Sequence, residues 1–460
     1  MRIAIVAPVC RFLAAVLAVA GLISTGPVAA RAESIAAALS SSYMGSPTLN
    51  AERARQRATD EAVPQALSGW RPTVSANGDA GVAWNDSSIT KPTQTFPAGV
   101  AVTLTQPIFR GFQTVSGTAQ AEALVSAGRE NLLAVEQQVL LSAATAYMNV
   151  IRDRNVLQLR QKNVEVLTEQ LKASQARFEV GEITRTDVAQ SQASLALSRS
   201  ALAAAEANLA SSVANYVRII GYAPGTLRFP QISPLTPKSL DSALAMAERI
   251  NPNILAAAFN EEAARHNIDL VQGGLLPQLS FNAQYTFNHQ PTSAIDWSDQ
   301  ATLFGQVQIP IYEGGLIYSE VRQAKQTASQ RRLQVVDVRR QVREQVSDAW
   351  NLLKAAEAVI VSSKTQVEAN RLALEGVRQE ALVGSRTTLD VLDAEQTFVD
   401  SQVLLATAER DRIVSAYQLI AAIGHMTARD LKLNVVHYDV EQNYLDVRRK
   451  WIGTQVNTVD

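Results

Sequence analysis

Cysteine is almost missing from this 460-residue chain; its one thiol is Cys10. That residue falls in a basic, apolar leader: Arg2 and Arg11 precede "FLAAVLAVAGLI" (Phe12 to Ile23), and Ala30-Arg31-Ala32 precedes Glu33. The layout is that of a secretory signal peptide with an A-x-A cleavage site, so residues 1–32 are expected to be removed. The apolar run is short for a membrane anchor and has no stop-transfer flank. Cys10 also sits too early to be a lipoprotein acylation site. The exported chain then has no cysteine, which excludes disulfide staples in a compartment that would permit them and leaves no thiolate for a soft metal. Histidine is nearly as scarce: His266, His289, His425 and His437 are scattered and unpaired. H-E-x-x-H, G-x-S-x-G and G-x-x-x-x-G-K-[ST] are all absent. The expectation is a protein that is not an enzyme, with no catalytic residue, no metal and no cofactor.

Net charge is low as well. Without the three leader arginines the chain carries 39 basic and 43 acidic residues, a balance of −4, which argues against a general nucleic-acid binder. Past the leader no segment offers 18 uninterrupted apolar residues, so no transmembrane helix is expected. An exported chain of this kind is soluble, peripheral, or crosses a membrane as β-strands.

Proline is missing where it would matter most. None occurs between Pro107 and Pro224, and none after Pro310. Those stretches are rich in Ala, Leu, Gln, Glu and Arg, which favour helix. Gly111 to Phe178 alone would make a helix of roughly 100 Å at about 1.5 Å per residue. Val335, Val338, Val342, Val346, Ala349, Leu353, Ala356 and Ile360 follow the 3–4 spacing of a heptad seam, which supercoils helices left-handedly.

What is present is repeated. Pro107 and Pro310, Gly111 and Gly314, Tyr147 and Trp350, Gly181 and Gly384, Asp187 and Asp390, and Gly221 and Gly424 are all separated by 203 residues. Upstream the offset is 205, as in Pro47 with Pro252 and Pro72 with Pro277. The chain reads as a tandem duplication. The expected layout is a first repeat at 33–226, a linker at 227–238, a second repeat at 239–429 and a polar tail at 430–460. Each repeat holds a β-hairpin (about 72–109 and 277–312) and a long helical hairpin (about 111–220 and 313–424) that turns at a Val-Gly pair.

The β segments alternate. "PQLSFNAQYTFN" sets Leu279, Phe281, Ala283, Tyr285 and Phe287 against Ser280, Asn282, Gln284, Thr286 and Asn288. "ATLFGQVQIPI" continues with Leu303, Val307, Ile309 and Ile311. In the first repeat Val74, Ala76, Ala80, Val82 and Trp84 share one face, and Phe96, Ala98, Val100, Val102 and Leu104 share another. Period two fits both a half-buried soluble strand and a membrane-barrel stave. Trp84 and Trp297 lie near strand ends, where interfacial aromatics would sit. Four strands cannot close a barrel, since small barrels need about eight, and hydrocarbon does not tolerate open edges. Either the sheet is soluble, or several chains each contribute four staves.

Long helical hairpins, two β-hairpins, a tandem repeat and an export signal together resemble the TolC family of outer-membrane efflux channels. The most specific stretches are "RFEVGEITRTDV" (Arg177 to Val188) and "VGSRTTLDVLDAEQ" (Val383 to Gln396), with "QPIFRGF" and "IPIYEGG" at the strand-to-helix junctions. The resemblance implies a mainly α fold with a membrane β part: a homotrimer whose four strands per chain form a 12-stranded barrel in outer-membrane lipid, above an α-helical tunnel that extends into the periplasm. It implies a passive exit duct for small molecules or for type I protein secretion. Its partners would be a periplasmic adaptor (membrane fusion) protein and an inner-membrane pump of RND, ABC or MFS type, with no nucleic acid. The competing reading is a periplasmic structural or adhesive coiled-coil protein with a soluble β domain.

The site residues divide between a bland and a functional reading. Thr184-x-x-Asp187 and Thr387-x-x-Asp390 both fit a helix-capping box. Asp393 escapes that account: its counterpart in the first repeat is Gln190, and it shares a helix face with Asp390 one turn away. The resemblance implies that Asp390 and Asp393 form a cation-selective ring in the lumen, and a carboxylate ring has that selectivity. It implies an entrance latch from Arg386 to Thr186 and Asp187 of a neighbouring hairpin. Well-known members add a tyrosine to the latch where this chain has Ala381. Val180, Gly181, Val383 and Gly384 would be the tips that receive the adaptor, although glycine there also simply permits the turn.

Overall fold

The structure is a computed structural model that describes residues 33–89, 91–231 and 235–456. The expected signal peptide lies outside the described residues. Near the amino end, three short helices, α1 (Ile35–Gly45), α2 (Pro47–Asp60) and α3 (Ala62–Leu67), lead into strand β1 (Thr73–Ala80). A small arm of β2 (Ala83–Asn85) and β3 (Thr93–Thr95) separates β1 from β4 (Ala98–Arg110). The chain then descends as α4 (Gln113–Glu179) and returns as α5 (Arg185–Ile220). The second repeat follows the same plan: α6 (Leu240–Ile250), α7 (Pro252–Gln272), β5 (Gln278–Thr292), β6 (Ile295–Gln308), α8 (Leu316–Leu382) and α9 (Thr388–Ile423). A last short helix, α10 (Gln442–Arg448), closes the described chain.

The duplication is visible in the backbone. α4 and α8 each run 67 residues, and α5 and α9 each run 36. At about 1.5 Å per residue the long pair spans roughly 100 Å. Glycine sets the ends at matching places: Gly181 and Gly384 both turn at φ 79°, while Gly221 and Gly424 close α5 and α9 at φ 100° and 114°. These left-handed conformations exclude most side chains.

One four-stranded antiparallel sheet holds the order β1-β4-β5-β6. The β4–β5 pairing joins the two repeats, with Val100 opposite Phe287, Val102 opposite Tyr285 and Leu104 opposite Ala283. Because side chains alternate, the register sorts the sheet into two faces. Val74, Ala76, Val100, Val102, Leu104, Ala283, Tyr285, Phe287, Ala301 and Leu303 fall on one. Ser75, Asn77, Thr103, Thr105, Asn282, Gln284, Thr286, Gln300 and Thr302 fall on the other. Thr105 donates to Asn282 across the polar face at 3.0 Å. Val74, Val100, Tyr285, Phe287 and Leu303 all remain exposed within the chain. Nothing among the described residues covers the apolar face, and β1 and β6 end the sheet as unpaired edges. No described helix is long and apolar enough to cross a membrane.

The core sits far from the sheet, at mid-height of the helices. Leu140, Tyr147 and Met148 of α4 pack with Tyr216 of α5, Ile413 and Ile420 of α9, and Leu39, Tyr43 and Leu49 of the amino-terminal helices. The Tyr147 hydroxyl lies 2.7 Å from both the Glu33 and Arg228 carbonyls, either of which can take its one proton, and it accepts from the Arg228 N–H, which ties the inter-repeat segment to the start of the described chain. A second cluster is the heptad seam itself. Val342, Val346, Ala349 and Leu353 meet Leu419 and Ile423 of α9 and Ala243 and Ala247 of α6. The segment expected as a polar tail buries Leu433 and Val447, and its Asn443 donates to the buried Asp60 at 2.9 Å.

The repeats meet most tightly where β4 turns into α4. Gly111 sits at φ 57°, and a Cβ there would lie 2.2 Å from the Gly273 carbonyl oxygen; a Cβ on Gly273 would lie 2.4 Å from the Gly111 carbonyl oxygen. Backbone has to move for either to be accommodated. Gly111→Ala and Gly273→Ala should therefore sharply reduce the yield of folded protein. Gly45→Ala, which meets nothing within 4 Å, should leave the yield unchanged. Quantitative immunoblotting after limited proteolysis measures this.

Candidate functional site

The two helical hairpins end in tips of the same build. At each, the long helix stops at valine, glycine reverses the chain, and a threonine caps the returning helix. Gly181 N–H donates to Phe178 and Glu182 N–H to Arg177; in the second tip Gly384 donates to Ala381 and Ser385 to Glu380. A Cβ on Gly181 or Gly384 would meet nothing within 4 Å, so these glycines answer to φ and not to crowding. Val180 and Val383 are 78% and 80% exposed, and Leu382 is 80% exposed. Three large apolar side chains thus stand in solvent at the outermost points of the helical hairpins.

Both capping boxes are formed. Asp187 N–H donates to Thr184 Oγ1, while Asp187 Oδ2 accepts from the Thr184 N–H at 2.8 Å and its hydroxyl at 2.7 Å. Asp390 repeats the arrangement with Thr387 at 2.9 Å and 2.8 Å. The Thr184 hydroxyl and N–H hold the Asp187 carboxyl below the usual carboxylate range. The Thr387 N–H and hydroxyl do the same for Asp390. Hydrogen bonds to the charged form are the cause in both. The first aspartate of each tip is therefore a structural cap, whatever else it does.

Asp393 has no such duty. It is exposed one turn further into α9; its carbonyl accepts from the Thr397 hydroxyl at 2.8 Å, and its carboxylate has no partner within the described chain. Arg386 binds Glu380 of its own tip, Nε to Oε2 at 2.9 Å. Among the described residues no hydrogen bond or ion pair links Arg386 to Thr186 or Asp187. Thr186 is exposed.

Two ion pairs near the tips were not singled out from the sequence. Arg177 NH2 meets Glu182 Oε1 at 2.6 Å in the first tip. Arg378 bridges to Glu395, whose side chain is only 9% exposed, between α8 and α9. The 203-residue offset holds the signal for the second: the matching positions in the first repeat are Gln175 and Gln192.

Comparison with known proteins agrees with this geometry. A family model for outer membrane efflux proteins matches residues 38–222 and again 243–425, one match per repeat. The chain belongs to the outer membrane efflux protein family. It is 37% identical over 443 residues to the outer membrane efflux protein BepC of Brucella suis, covering 96% of each chain. It is 27% identical over 312 residues to the outer membrane protein TolC of Escherichia coli K12, covering 64% of this chain and 63% of that one. The fold matches the CmeC outer membrane channel of Campylobacter jejuni with a TM-score of 0.77 at 14% identity, over 90% of this chain and 89% of that chain. Membership places the protein in the outer membrane as an efflux channel with a helical periplasmic tunnel; the soluble-scaffold reading is not favoured.

The caps of this efflux protein make a prediction. A carboxyl held below its ordinary value of 3.8 supports the fold fully above about that pH and loses its contribution as pH falls through the lower folded value. Amide hydrogen exchange at Thr184 and Asp187 and at Thr387 and Asp390, corrected for intrinsic rates, should stay protected down to about pH 4 and accelerate below it. Thr184→Ala and Thr387→Ala should each accelerate exchange at their own tip at neutral pH and leave the other tip unaffected.

Proposed function

We propose that three copies of this chain assemble into one channel-tunnel, each giving four strands to a 12-stranded barrel in outer-membrane lipid and two helical hairpins to the tunnel below. The observation that carries this reading is the sheet: an apolar face with no cover, a polar face opposite, and two unpaired edges. Unpaired backbone is tolerated in hydrocarbon only when a barrel closes, and the free edges of β1 and β6 are where neighbouring chains would complete it. The polar face of Thr, Asn and Gln would then line the pore.

At the far end, Asp390 and Asp393 of three chains would place six carboxylates around the periplasmic mouth. Their charge would favour cations over anions. Arg386 would latch the mouth by reaching Thr186 and Asp187 of an adjoining hairpin. The exposed Val180, Leu382 and Val383 beside Gly181 and Gly384 supply an apolar surface for a periplasmic adaptor, which would connect the duct to a pump of RND, ABC or MFS type. Relatives include an alkaline protease secretion protein of Pseudomonas aeruginosa, 23% identical over 353 residues, so cargo ranging from small molecules to secreted protein is within reach of this architecture.

Planar-bilayer recording of the purified oligomer tests the proposal. The wild type should conduct and should require detergent to stay in solution. Asp390→Ala with Asp393→Ala should move the reversal potential across a salt gradient toward zero and weaken block by multivalent cations. Arg386→Ser should raise single-channel conductance. A chain that remains a water-soluble monomer without detergent, or a reversal potential unmoved by loss of both aspartates, would contradict the duct or the ring respectively.

A further inference from the structure

The two tips share a backbone but reverse their charges. Position 177 on α4 and position 380 on α8 correspond under the 203-residue offset, yet one is arginine and the other glutamate. Each pairs with an opposite charge in its turn: Arg177 with Glu182 at 2.6 Å, and Glu380 with Arg386 at 2.9 Å. All four side chains are about half exposed, so both pairs can exchange with solvent and with neighbours.

Both arginines have reason to seek the same carboxylate. Arg177 sits on the same tip as Asp187: its guanidinium holds Glu182 and its carbonyl accepts from the Glu182 N–H, two residues before the threonine that binds Asp187. Arg386 is the residue proposed above to reach Asp187 from the adjoining hairpin. The Asp187 cap uses Oδ2 for both of its contacts with Thr184, which leaves Oδ1 for one more donor. The two hairpins of one chain pack against each other near their tips. Leu167 of α4 and Leu195 of α5 pack on Leu392 of α9, and Leu171 joins them. Leu392 is four residues into α9 and Leu171 eight residues before the end of α4, within about 6 and 12 Å of the tips along the axes.

Resting on the latch reading above, we propose that Glu182 and Glu380 are positioning residues that decide which arginine holds Asp187. Glu380 keeps Arg386 on its own hairpin and so favours a loosened mouth. Glu182 keeps Arg177 away from Asp187, leaves that carboxylate for Arg386, and so favours a shut mouth. The two glutamates act in opposite directions through two different arginines. The balance between the two pairs then sets how firmly the entrance is held.

Conductance of the purified oligomer in planar bilayers, with assembly checked on native gels, tests this. Glu380→Gln should lower the open fraction about two- to fivefold and Glu182→Gln should raise it by a similar factor, the range expected for exposed ion pairs. Glu380→Asp should restore wild-type behaviour. Glu380→Gln combined with Arg386→Ser should match Arg386→Ser alone, because Glu380 acts only through that arginine. Shifts of the same sign for the two neutralising variants, no shift in either, or additivity in the double variant would overturn the inference while leaving a conducting wild type as a channel. A wild type that fails to conduct would overturn the channel reading and this inference with it.

Discussion

Backbone hydrogen bonding in a medium without water governs this molecule. A four-stranded sheet with apolar residues on one face has two rows of unsatisfied N–H and C=O groups at β1 and β6. In water those groups are solvated, but then Val100, Tyr285, Phe287 and Leu303 are stranded. In hydrocarbon the side chains are at home, but each unpaired backbone group costs several kcal/mol. Only closure with further copies satisfies both requirements. The chain therefore cannot be understood one copy at a time, and the single-copy fold reads as an incomplete object at its β end while its helical core is already well formed.

The location of the core follows from that division. Folding of the single chain rests on the mid-height clusters around Tyr147 and Val346, where the two repeats and the amino-terminal helices bury their large side chains together. The sheet and the tips contribute little to that core. A stable waist with unfinished ends suits an outer-membrane channel, because the surfaces at its ends do not also have to hold the chain together.

Much of this was legible in the sequence because the relevant patterns are long. Sixty-seven helical residues without proline, a heptad seam and a constant offset each repeat their signal many times. All eight seam residues from Val335 to Ile360 are buried or half-buried as the spacing requires. The capping boxes were legible because Thr-x-x-Asp is a local motif with one geometry. What escaped were contacts between residues that neither motif nor period links: Arg177 with Glu182, Arg378 with Glu395, and the close approach of Gly111 and Gly273. The tail was read as polar from composition, yet a few well-spaced apolar residues such as Leu433 and Val447 suffice to anchor it. Composition averages away the few positions that decide packing.

The departures from internal symmetry carry the functional argument furthest. A duplicated chain that only needed to build a hairpin could keep the same residues in both copies, and the turn glycines and capping threonines are in fact the same. Where the two helices of each hairpin face one another near the tips, the copies differ: the first joins Ser174 to Ser191 at 3.0 Å and carries Gln190 and Gln192 on the returning helix. The second substitutes Val377 and Ala394 at the serine positions and places charges nearby, Arg378, Asp393 and Glu395. At the serine positions the second hairpin has apolar residues, and one residue further along each helix the Arg378–Glu395 ion pair, with Glu395 buried, bridges its two helices, while Asp393 stands exposed. Of these three charges only Asp393, whose carboxylate has no partner among the described residues, carries no structural duty and is free to act on ions or on a neighbouring hairpin.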